Sequence, residues 1–433
     1  MAREMKNSGV SWIGEIPQGW NVVPFRSYVK ERAEKNKGEK TRELLALSYA
    51  LGVTLYKDKV FNMDRVKENY EDYQLVYEND LVLSPNDIIK GSVYVSKYYG
   101  CISPMYSVFS ARSPKTHYLP YLSYLLRTKE AGRKFFSIAR GLIGGITDTG
   151  KYVTRRMTVS RQDLLLFKVL LPSPIEQQAI VDFLDTKCSE IDGLLVDLDA
   201  EVKTLVEYKK SIITETVIRG LNPNVPMKQS GIPWAETIPA HWATEKFRYK
   251  LRVRRVSGFG DKQVLSVYRE YGVIPKDSRD DNHNVTSEDT SKYKYVRPND
   301  FVINKMKAWQ GSMGVSEYEG IVSPAYFVYE FSDDDYNPRF FHYFMRNTNN
   351  IPEYRRLSGG IREGQWDLSP YDLGNMPIIV PPKSEQNEIV VYLDEKCAAI
   401  DQAIADKQTQ IETLKSYKAS LIYEYVTGKK QVI

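Results

Sequence analysis

The sequence contains few of the residues that build disulfide frameworks or zinc sites. Its three cysteines are Cys101, Cys188 and Cys397, none of them in a CxxC spacing, and its four histidines lie far apart along the chain. An odd number of dispersed cysteines does not fit a disulfide-stapled scaffold, and neither residue type has the spacing of a zinc motif. The sequence therefore predicts no structural disulfide and no metal site.

Long apolar runs are also missing. No stretch approaches the roughly 20 apolar residues that a membrane-spanning helix needs, and the start MAREMKNSG lacks the apolar core of a signal peptide. Hydrophobic residues make up 42% of the chain and the mean hydropathy is -0.44. We expect a cytoplasmic globular protein that does not contact membranes.

Sequence motifs of common nucleotide and methyl-donor enzymes are absent too. The run nearest to an adenine-methyltransferase [DNS]-P-P-[YF] motif is Val380-Pro381-Pro382-Lys383, and neither a G-x-x-x-x-G-K-[ST] loop nor a glycine-rich dinucleotide fingerprint occurs. Asp87 and Lys90 would be the candidates for a nuclease, but the sequence shows no metal partners beside them. We therefore predict no catalytic residues and no cofactor.

Charge is unevenly distributed along the chain. The net charge is +5, from 60 basic and 55 acidic residues. Residues 175–220 and 383–433 together carry a net charge of -6, which leaves +11 on the rest of the chain. Such a distribution suits domains that face phosphates, joined by segments with another role.

The main positive feature is an internal duplication. The segment KNSGVSWIGEIPQGWNVVPFR from Lys6 aligns without gaps with KQSGIPWAETIPAHWATEKFR from Lys228, and GCISPMY from Gly100 aligns with GIVSPAY from Gly320. A third stretch, PSPIEQQAIVDFLDTKCSEID from Pro172, aligns with PPKSEQNEIVVYLDEKCAAID from Pro381. About twenty of the fifty pairs over residues 171–220 are identical, so a duplication determines the architecture.

The third stretch predicts one long helix in each copy. Apolar residues recur at steps of three and four from Leu184 and from Leu393, and proline-rich segments precede both runs. The helices are expected at roughly 175–219 and 384–427, paired antiparallel through their apolar seams. Cys188 and Cys397 occupy matched seam positions and are predicted to be core residues.

Short β-rich runs mixed with helical pieces precede each helix and predict a mixed α/β domain. The predicted fold class is α+β, with two mixed α/β domains separated by two long helices in an antiparallel coiled coil, and with an internal pseudo-twofold repeat. We also expect the N-terminal segment to pack near the end of the second helix. The predicted segments are a first domain at 1–170, a helical spacer at 171–222, a second domain at 223–379 and a second helical spacer at 380–433.

Two loops differ between copies that otherwise match. The first loop lies between the matched pairs Asp80/Asp300 and Gly91/Gly311, and it reads LVLSPNDIIK in one copy and FVINKMKAWQ in the other. The second loop follows the matched Gly-Gly-Ile runs at 144–146 and 359–361, and it reads TDTGKYVTRRMTV in one copy and REGQWDL in the other. A common scaffold with divergent loops suits two readers of different base sequences. The candidate DNA-binding residues are Asn86, Lys90, Lys151, Tyr152, Arg155, Arg156, Asn304, Lys305, Lys307, Trp309, Gln310, Arg362, Gln365 and Trp366.

These features together resemble the specificity subunits of type I restriction-modification systems. The resemblance rests on the two helical stretches, on SWIGEIP with GW, and on GGIREGQWDLS, and it covers essentially the whole chain. It implies two target recognition domains, each reading one half of a bipartite site on double-stranded DNA, with helices that set the spacing. The partners that it implies are two adenine methyltransferase subunits and, in the full complex, restriction subunits.

Two other classes of function remain open on the sequence alone. A structural adaptor would use the duplicated coil to dimerise partner proteins and would show no sequence-dependent DNA binding. A free-standing nuclease or methyltransferase would show activity as a purified chain. The DNA reader, in contrast, predicts salt-sensitive binding with a sequence preference.

Overall fold

The structure is a computed structural model in which the chain forms two compact units. The first unit comprises residues 1–198 and 409–433, and the second comprises residues 199–408. The structure describes residues 3–48, 51–59, 69–141, 157–279, 286–287, 289–360 and 366–432, together with the backbone of 145–146 and 152–153.

The first copy of the repeat contains a mixed α/β domain followed by a long helix, α6. Its elements in chain order are β1 Met5–Asn7, β2 Glu15–Pro17, β3 Asn21–Pro24, α1 Phe25–Tyr28, β4 Val29–Glu31, β5 Leu45–Ser48, β6 Gly52–Leu55, α2 Tyr56–Lys59, β7 Gln74–Val76, β8 Leu81–Leu83, β9 Val93–Val95, β10 Gly100–Ile102, β11 Ser107–Ala111, α3 Leu119–Leu126, α4 Lys129–Ile138, β12 Gly145–Ile146, β13 Tyr152–Val153, α5 Arg161–Leu166, β14 Lys168–Leu171 and α6 Pro174–Arg219.

The second copy repeats this order, with a 3₁₀ helix at Lys276–Ser278 in place of α2, and ends in the long helix α11. Its elements are β15 Met227–Gln229, β16 Thr237–Pro239, β17 Ala243–Lys246, α7 Phe247–Lys250, β18 Leu251–Val253, β19 Leu265–Tyr268, β20 Gly272–Pro275, β21 Lys294–Val296, β22 Phe301–Asn304, β23 Met313–Val315, β24 Gly320–Val322, β25 Tyr326–Phe331, α8 Pro338–Met345, α9 Ile351–Arg356, β26 Ser358–Gly359, β27 Asp367–Leu368, α10 Pro370–Asn375, β28 Pro377–Val380 and α11 Lys383–Val426.

Each domain is built on a four-stranded antiparallel sheet of the same topology. The strand order is β4-β11-β8-β9 in the first domain and β18-β25-β22-β23 in the second. Strand β8 is buried on both faces: Val82 packs with the β5–β6 hairpin, while Leu81 and Leu83 pack with the helices. Successive side chains of a strand point to opposite faces, so a continuous apolar run fits a strand that is covered on both sides.

A matched turn leads into each of these central strands. Asn79 and Asn299 adopt positive φ angles of 66° and 72°, a left-handed conformation that asparagine tolerates better than most residues. The following aspartates, Asp80 and Asp300, accept backbone N–H bonds from Tyr77 at 2.9 Å and from Arg297 at 2.8 Å. The repeated Asn-Asp pair therefore determines where both strands begin.

The long helices begin and end within one residue of the expected limits. In the first unit, Lys418 of α11 pairs with Asp192 of α6 at 2.6 Å, and the ring of Tyr425 lies 4.4 Å from that of Phe183. Between these two contacts the residue number rises from 418 to 425 along α11 and falls from 192 to 183 along α6. The two helix halves therefore run antiparallel, as predicted. In the second unit, Lys209 pairs with Asp401 at 2.5 Å, the counterpart of the Lys418–Asp192 pair.

The helices also pack against the domains, which the seam pattern alone did not predict. Ile180 and Leu184 of α6 share a core with the first domain, and Ile389 and Leu393 of α11 share one with the second. Each long helix is therefore divided between the two compact units at or near residues 198 and 408, and neither spacer is a separate unit.

Two further predictions are confirmed. Cys188 and Cys397 are both 6% exposed, and burial raises the pKa of each thiol. The N-terminal segment packs on the end of α11, where the hydroxyl of Tyr423 lies 3.4 Å from the backbone carbonyls of Trp12 and Ile13. Among the described residues, no helix is both long and apolar enough to cross a membrane.

Candidate nucleic-acid interface

Each domain presents two divergent segments on a conserved backbone framework. We call residues 84–91 and 304–311 the strand-end loops, and residues 140–159 and 358–368 the hairpin segments. Both strand-end loops contain a short 3₁₀ helix, Ile88–Lys90 or Ala308–Gln310, followed by a glycine, Gly91 or Gly311, with φ of 83° or 85°. Glycine adopts this left-handed conformation without steric cost. The two loops therefore share a backbone while their side chains differ.

A hydrogen bond joins the two divergent segments in both domains. The N–H of Val159 donates to the carbonyl of Pro85 at 3.1 Å, and the N–H of Leu368 donates to the carbonyl of Lys305 at 3.1 Å. Val159 and Leu368 immediately precede matched helix caps, Ser160 and Ser369. The structure therefore brings together two loops that the sequence identified separately, and does so in the same way in each copy.

In the second domain, the joined loops carry a tryptophan pair. The rings of Trp309 and Trp366 are 5.4 Å apart with an interplanar angle of 60°, and both side chains are half-buried. The indole N–H of Trp309 donates to the carbonyl of Met306 at 3.2 Å. The guanidinium of Arg355 lies 5.8 Å from the Trp309 ring, within the range of a cation–π interaction. Aromatic packing thus links the strand-end loop, the hairpin segment and helix α9.

The polar candidates of this loop occupy different environments. Lys305 pairs with Asp367 at 2.9 Å, which ties the strand-end loop to the hairpin segment, whereas Lys307 is exposed. Asn304 is only 6% exposed, and its amide nitrogen donates to the hydroxyl of Tyr326 at 3.3 Å. Asn304 therefore supports the loop from inside, and Lys307 is the better placed of these residues to meet a ligand.

In the first domain, the joined loops are polar rather than aromatic. The hydroxyl of Thr158 donates to the amide oxygen of Asn86 at 2.6 Å, and Lys90 is exposed at the end of the 3₁₀ helix. The carboxylate of Asp87 accepts a hydrogen bond from Ser84 at 3.2 Å, so it stabilises the turn. Within the part of the chain that the structure describes, no group of three or more His, Cys, Asp or Glu residues could hold a metal ion.

Several predicted residues cannot be placed. The side chain of Tyr152 lies outside what the structure describes, although its backbone pairs with Ile146. The candidates outside the described residues are Lys151, Arg155, Arg156, Arg362 and Gln365. The tips of both hairpin segments therefore remain sequence-based predictions.

Sequence reasoning missed basic residues on the helices that support the loops. Helix α4 packs on the 3₁₀ helix Ile88–Lys90 so closely that a β-carbon at Gly132 would lie 2.6 Å from the carbonyl oxygen of Ile89. Arg133 on α4 and Arg140 just after it have side chains that are 80% and 82% exposed. The KEAGRKFFSI run of α4 combines apolar and basic faces, and this amphipathic pattern was the available sequence indication.

A cleft of about 1120 Å³ opens beside the second-domain loop. Trp309, Gln310 and Arg355 contribute to its lining together with residues of both long helices. His342 lies deeper in the wall of the cleft. Burial is the main cause that lowers its pKa to about 3, and the nearby arginines lower it further. The Nδ1 atom of His342 accepts a hydrogen bond from the N–H of Val315 at 3.2 Å. His342 is therefore neutral near pH 7 and acts as a structural acceptor.

Arg346 lies beneath the same cleft and is also structural. Its guanidinium donates to the backbone carbonyls of Met313 at 2.7 Å, Arg269 at 2.9 Å and Glu270 at 2.9 Å. Burial lowers its pKa to about 10, which still leaves it charged near pH 7. These bonds fix the end of the β19–β20 hairpin against helix α8, and so support the strand that follows the strand-end loop.

Comparisons with known proteins identify the domain that carries the tryptophan pair. Residues 258–413 match the model of the type I restriction modification DNA specificity domain. No curated protein sequence gives a significant match. The fold is similar to a solved chain from a study of complex assembly and conformational transition of the type I R-M system, with a TM-score of 0.67 and 13% identity over 96% of this chain and 99% of that one.

A second solved structure extends this likeness. The HsdS subunit from Thermoanaerobacter tengcongensis is similar with a TM-score of 0.53 and 14% identity, over 96% of this chain and 98% of that one. At these identities the structures report on the fold, and the specificity-domain match reports on the family. Residues 258–413 therefore match a type I restriction modification DNA specificity domain, and the fold of the chain is similar to those of the two solved structures.

Proposed function

We propose that the chain is the DNA-specificity subunit of a type I restriction-modification system, and that each domain reads one half of a bipartite DNA site through its joined strand-end loop and hairpin segment. The main support is a backbone hydrogen bond that occurs in both domains, from Val159 to Pro85 and from Leu368 to Lys305. In each domain it joins two divergent segments on the same backbone framework. Base readout needs different donors and acceptors on a scaffold of constant geometry. The chain thus acts by binding, and the methyl transfer and DNA cleavage belong to partner subunits.

The two long helices act as the spacer and as the docking surface for two modification subunits. Support comes from the matched interhelical ion pairs, Lys418–Asp192 and Lys209–Asp401, which repeat one arrangement in each unit. A duplicated surface suits two identical partners. Its DNA target implies that the subunit works in the cytoplasm.

The exposed cation and the aromatic ring of the second-domain loop have separable roles in this proposal. Lys307 contacts the DNA backbone, whereas Trp309 shapes the surface that meets the bases. Phosphate contacts position a protein on DNA without reading the sequence, and base-edge contacts specify it. Trp309→Ala is therefore expected to relax the sequence preference, and Lys307→Ala to weaken binding to all sequences alike.

The test is to express the chain with its co-encoded subunits and to compare the methylated motifs of wild type and Trp309→Ala. We expect degenerate bases in one half of the motif and an unchanged other half. Lys292→Ala, at an exposed position of the second domain outside the joined loops, serves as the control and should leave both halves unchanged. Equal loss at both halves would contradict the assignment of one domain to each half-site.

A further inference from the structure

A band of basic side chains surrounds helix α4 in the first domain. Residues 127–140 contain five basic residues and one acidic residue, Glu130. The apolar side of α4 is buried through Ala131 and Phe135, which leaves the opposite side to solvent. We call Arg127, Lys129, Arg133, Lys134 and Arg140 the basic face.

The basic face adjoins both segments of the proposed reading surface. Gly132 lets α4 approach the strand-end loop closely, since a β-carbon there would meet the carbonyl oxygen of Ile89. At the other end, the backbone of Arg140 pairs with Thr158 of the hairpin segment through two hydrogen bonds of 2.9 Å. The basic face is therefore continuous with the loops and held rigidly beside them.

Neighbouring acids neutralise little of this charge. The contacts of Arg133 with Glu130 and of Arg140 with Asp163 measure 3.9 Å and 3.8 Å, beyond ordinary hydrogen-bond length. Ion pairs this exposed contribute about 0–1 kcal/mol, so an anionic partner can displace them. The guanidinium of Arg127 lies 4.2 Å from the ring of Tyr94, which orients it without removing its charge.

The corresponding region of the second domain lacks such a face. Arg346 is buried against backbone carbonyls, and Arg356 forms a bidentate pair with Glu353 at 2.6 and 2.8 Å. Arg355 lies against Trp309. The two domains therefore share a backbone plan but differ in the charge that they present beside their loops.

We propose that the basic face binds the DNA phosphate backbone next to the first half-site. These contacts supply the larger part of the salt-dependent affinity of the chain for DNA. The proposal rests on the proposed function, because it takes double-stranded DNA as the ligand of the adjoining loops. Each neutralised phosphate releases counterions, so each contact adds a slope of about -0.9 to log K against log salt. The second domain relies more on its aromatic surface and adds less to this slope.

The test measures binding of the full chain, purified with its partner subunits, to a duplex with its methylated motif and to a scrambled duplex at 50–200 mM salt. Arg133→Ala/Arg140→Ala is expected to reduce the slope by about 1.8 on both duplexes. Over that fourfold range of salt, the variant should lose about 12-fold less affinity than wild type. Arg133→Lys/Arg140→Lys keeps both charges and should restore the slope.

Two controls make the result specific. Lys40→Ala/Arg42→Ala removes two exposed cations of the first domain, which pair with Glu34 and Glu39, and Arg356→Ala removes the paired arginine of the second domain. Both should change the slope by less than about 0.5. An unchanged slope in Arg133→Ala/Arg140→Ala, or an equal change in the control double variant, would overturn the proposal.

The same measurements distinguish failure of this proposal from failure of the proposed function. If wild type binds both duplexes equally, sequence reading fails, whereas the slopes still decide the role of the basic face. If the double alanine variant loses sequence preference while its slope is kept, the basic face reads bases rather than phosphates, and the proposal is wrong.

Discussion

At the scale of single residues, the repeated Glu-Gln pair at the start of each long helix is the clearest case of chemistry behind a sequence motif. Gln177 and Gln386 are 0% exposed. The amide nitrogen of Gln177 donates to the carbonyls of Thr116 and Pro172, and that of Gln386 donates to the carbonyls of Asp335 and Pro381. Each glutamine therefore connects the start of its long helix to the domain that precedes that helix in the chain.

Gln177→Leu should be strongly destabilising. The N–H of Tyr118 donates to the amide oxygen of Gln177 at 2.8 Å. The substitution therefore leaves this N–H and the carbonyls of Thr116 and Pro172 without their buried glutamine partner, which costs about 3 kcal/mol in total. Urea denaturation followed by fluorescence would measure the loss. Gln178→Ala, at the exposed neighbouring position, should cost less than about 1 kcal/mol. Similar losses for both variants would contradict the connecting role of Gln177.

The glutamate of the motif predicts a dependence of stability on pH. Burial raises the pKa of Glu176, but hydrogen bonds from Trp20, Ser173 and Arg3 outweigh it, so the pKa lies below the usual value. A carboxylate with a lowered folded pKa contributes stability that is complete above the unfolded value of about 4.5 and is lost as the pH falls through the folded pKa.

Glu176→Gln should therefore reduce the Tm at pH 7 and have a smaller effect as the pH is lowered toward 3. Thermal melts of wild type and variant across this range provide the measurement. A difference in Tm that stays constant from pH 7 to 3 would show that the charge of Glu176 does not stabilise the fold.

The sequence showed the Glu-Gln repeat but not its role. Periodicity indicates which side chains face a core, whereas the hydrogen bond from Gln177 to the carbonyl of Thr116, 61 residues away, depends on tertiary folding. Asn304 illustrates the same limit. Its position in a divergent loop suggested contact with a base, and only the structure shows that it is buried against Tyr326.

At the scale of elements, the helices were predictable nearly to the residue, because apolar spacing and flanking prolines are local features. What spacing alone did not show is that the first turns pack on the domains rather than only on the other helix. Leu393 has 0% exposure in a core that also contains Phe344 and Ile379 of the second domain.

Leu393→Ala should destabilise the second unit by about 3 kcal/mol, since it removes buried methyl groups and leaves a cavity. Val391→Ala is a matched control two residues away, because Val391 is 59% exposed, and it should change stability by less than about 0.5 kcal/mol. Chemical denaturation would measure both. A small loss for Leu393→Ala would mean that the helix does not rely on the domain for its stability.

The loops were only partly predictable from the sequence. Their divergence between copies was visible by alignment. Their joining through Val159 and Leu368 was not visible, because backbone hydrogen bonds between distant segments leave no pattern in side-chain identity. The basic face of α4 was missed because it lies on a helix outside the divergent runs.

At the scale of the whole molecule, the duplication is what made the fold predictable from one sequence. Two copies that agree in their cores and disagree in their loops separate scaffold from variable surface without further sequences. The specificity-domain match to residues 258–413 covers part of the chain, and the repeat links the first domain to the same plan.

The spacer role predicts a change in geometry without a change in the bases that are read. Inserting four residues into α6 within 193–207 should alter the gap between the half-sites, because four residues add about 6 Å of helix. Mapping the methylated motif before and after insertion would measure the gap. Altered bases with an unaltered gap would mean that the helices contribute to base reading.

The most direct test of the central claim is to map the methylated adenines in a genome that carries this chain with its co-encoded subunits. A reader with two different loop surfaces predicts a split motif, in which two unlike specified halves flank a gap of unspecified bases. A single continuous motif, or methylation without any sequence preference, would contradict the account.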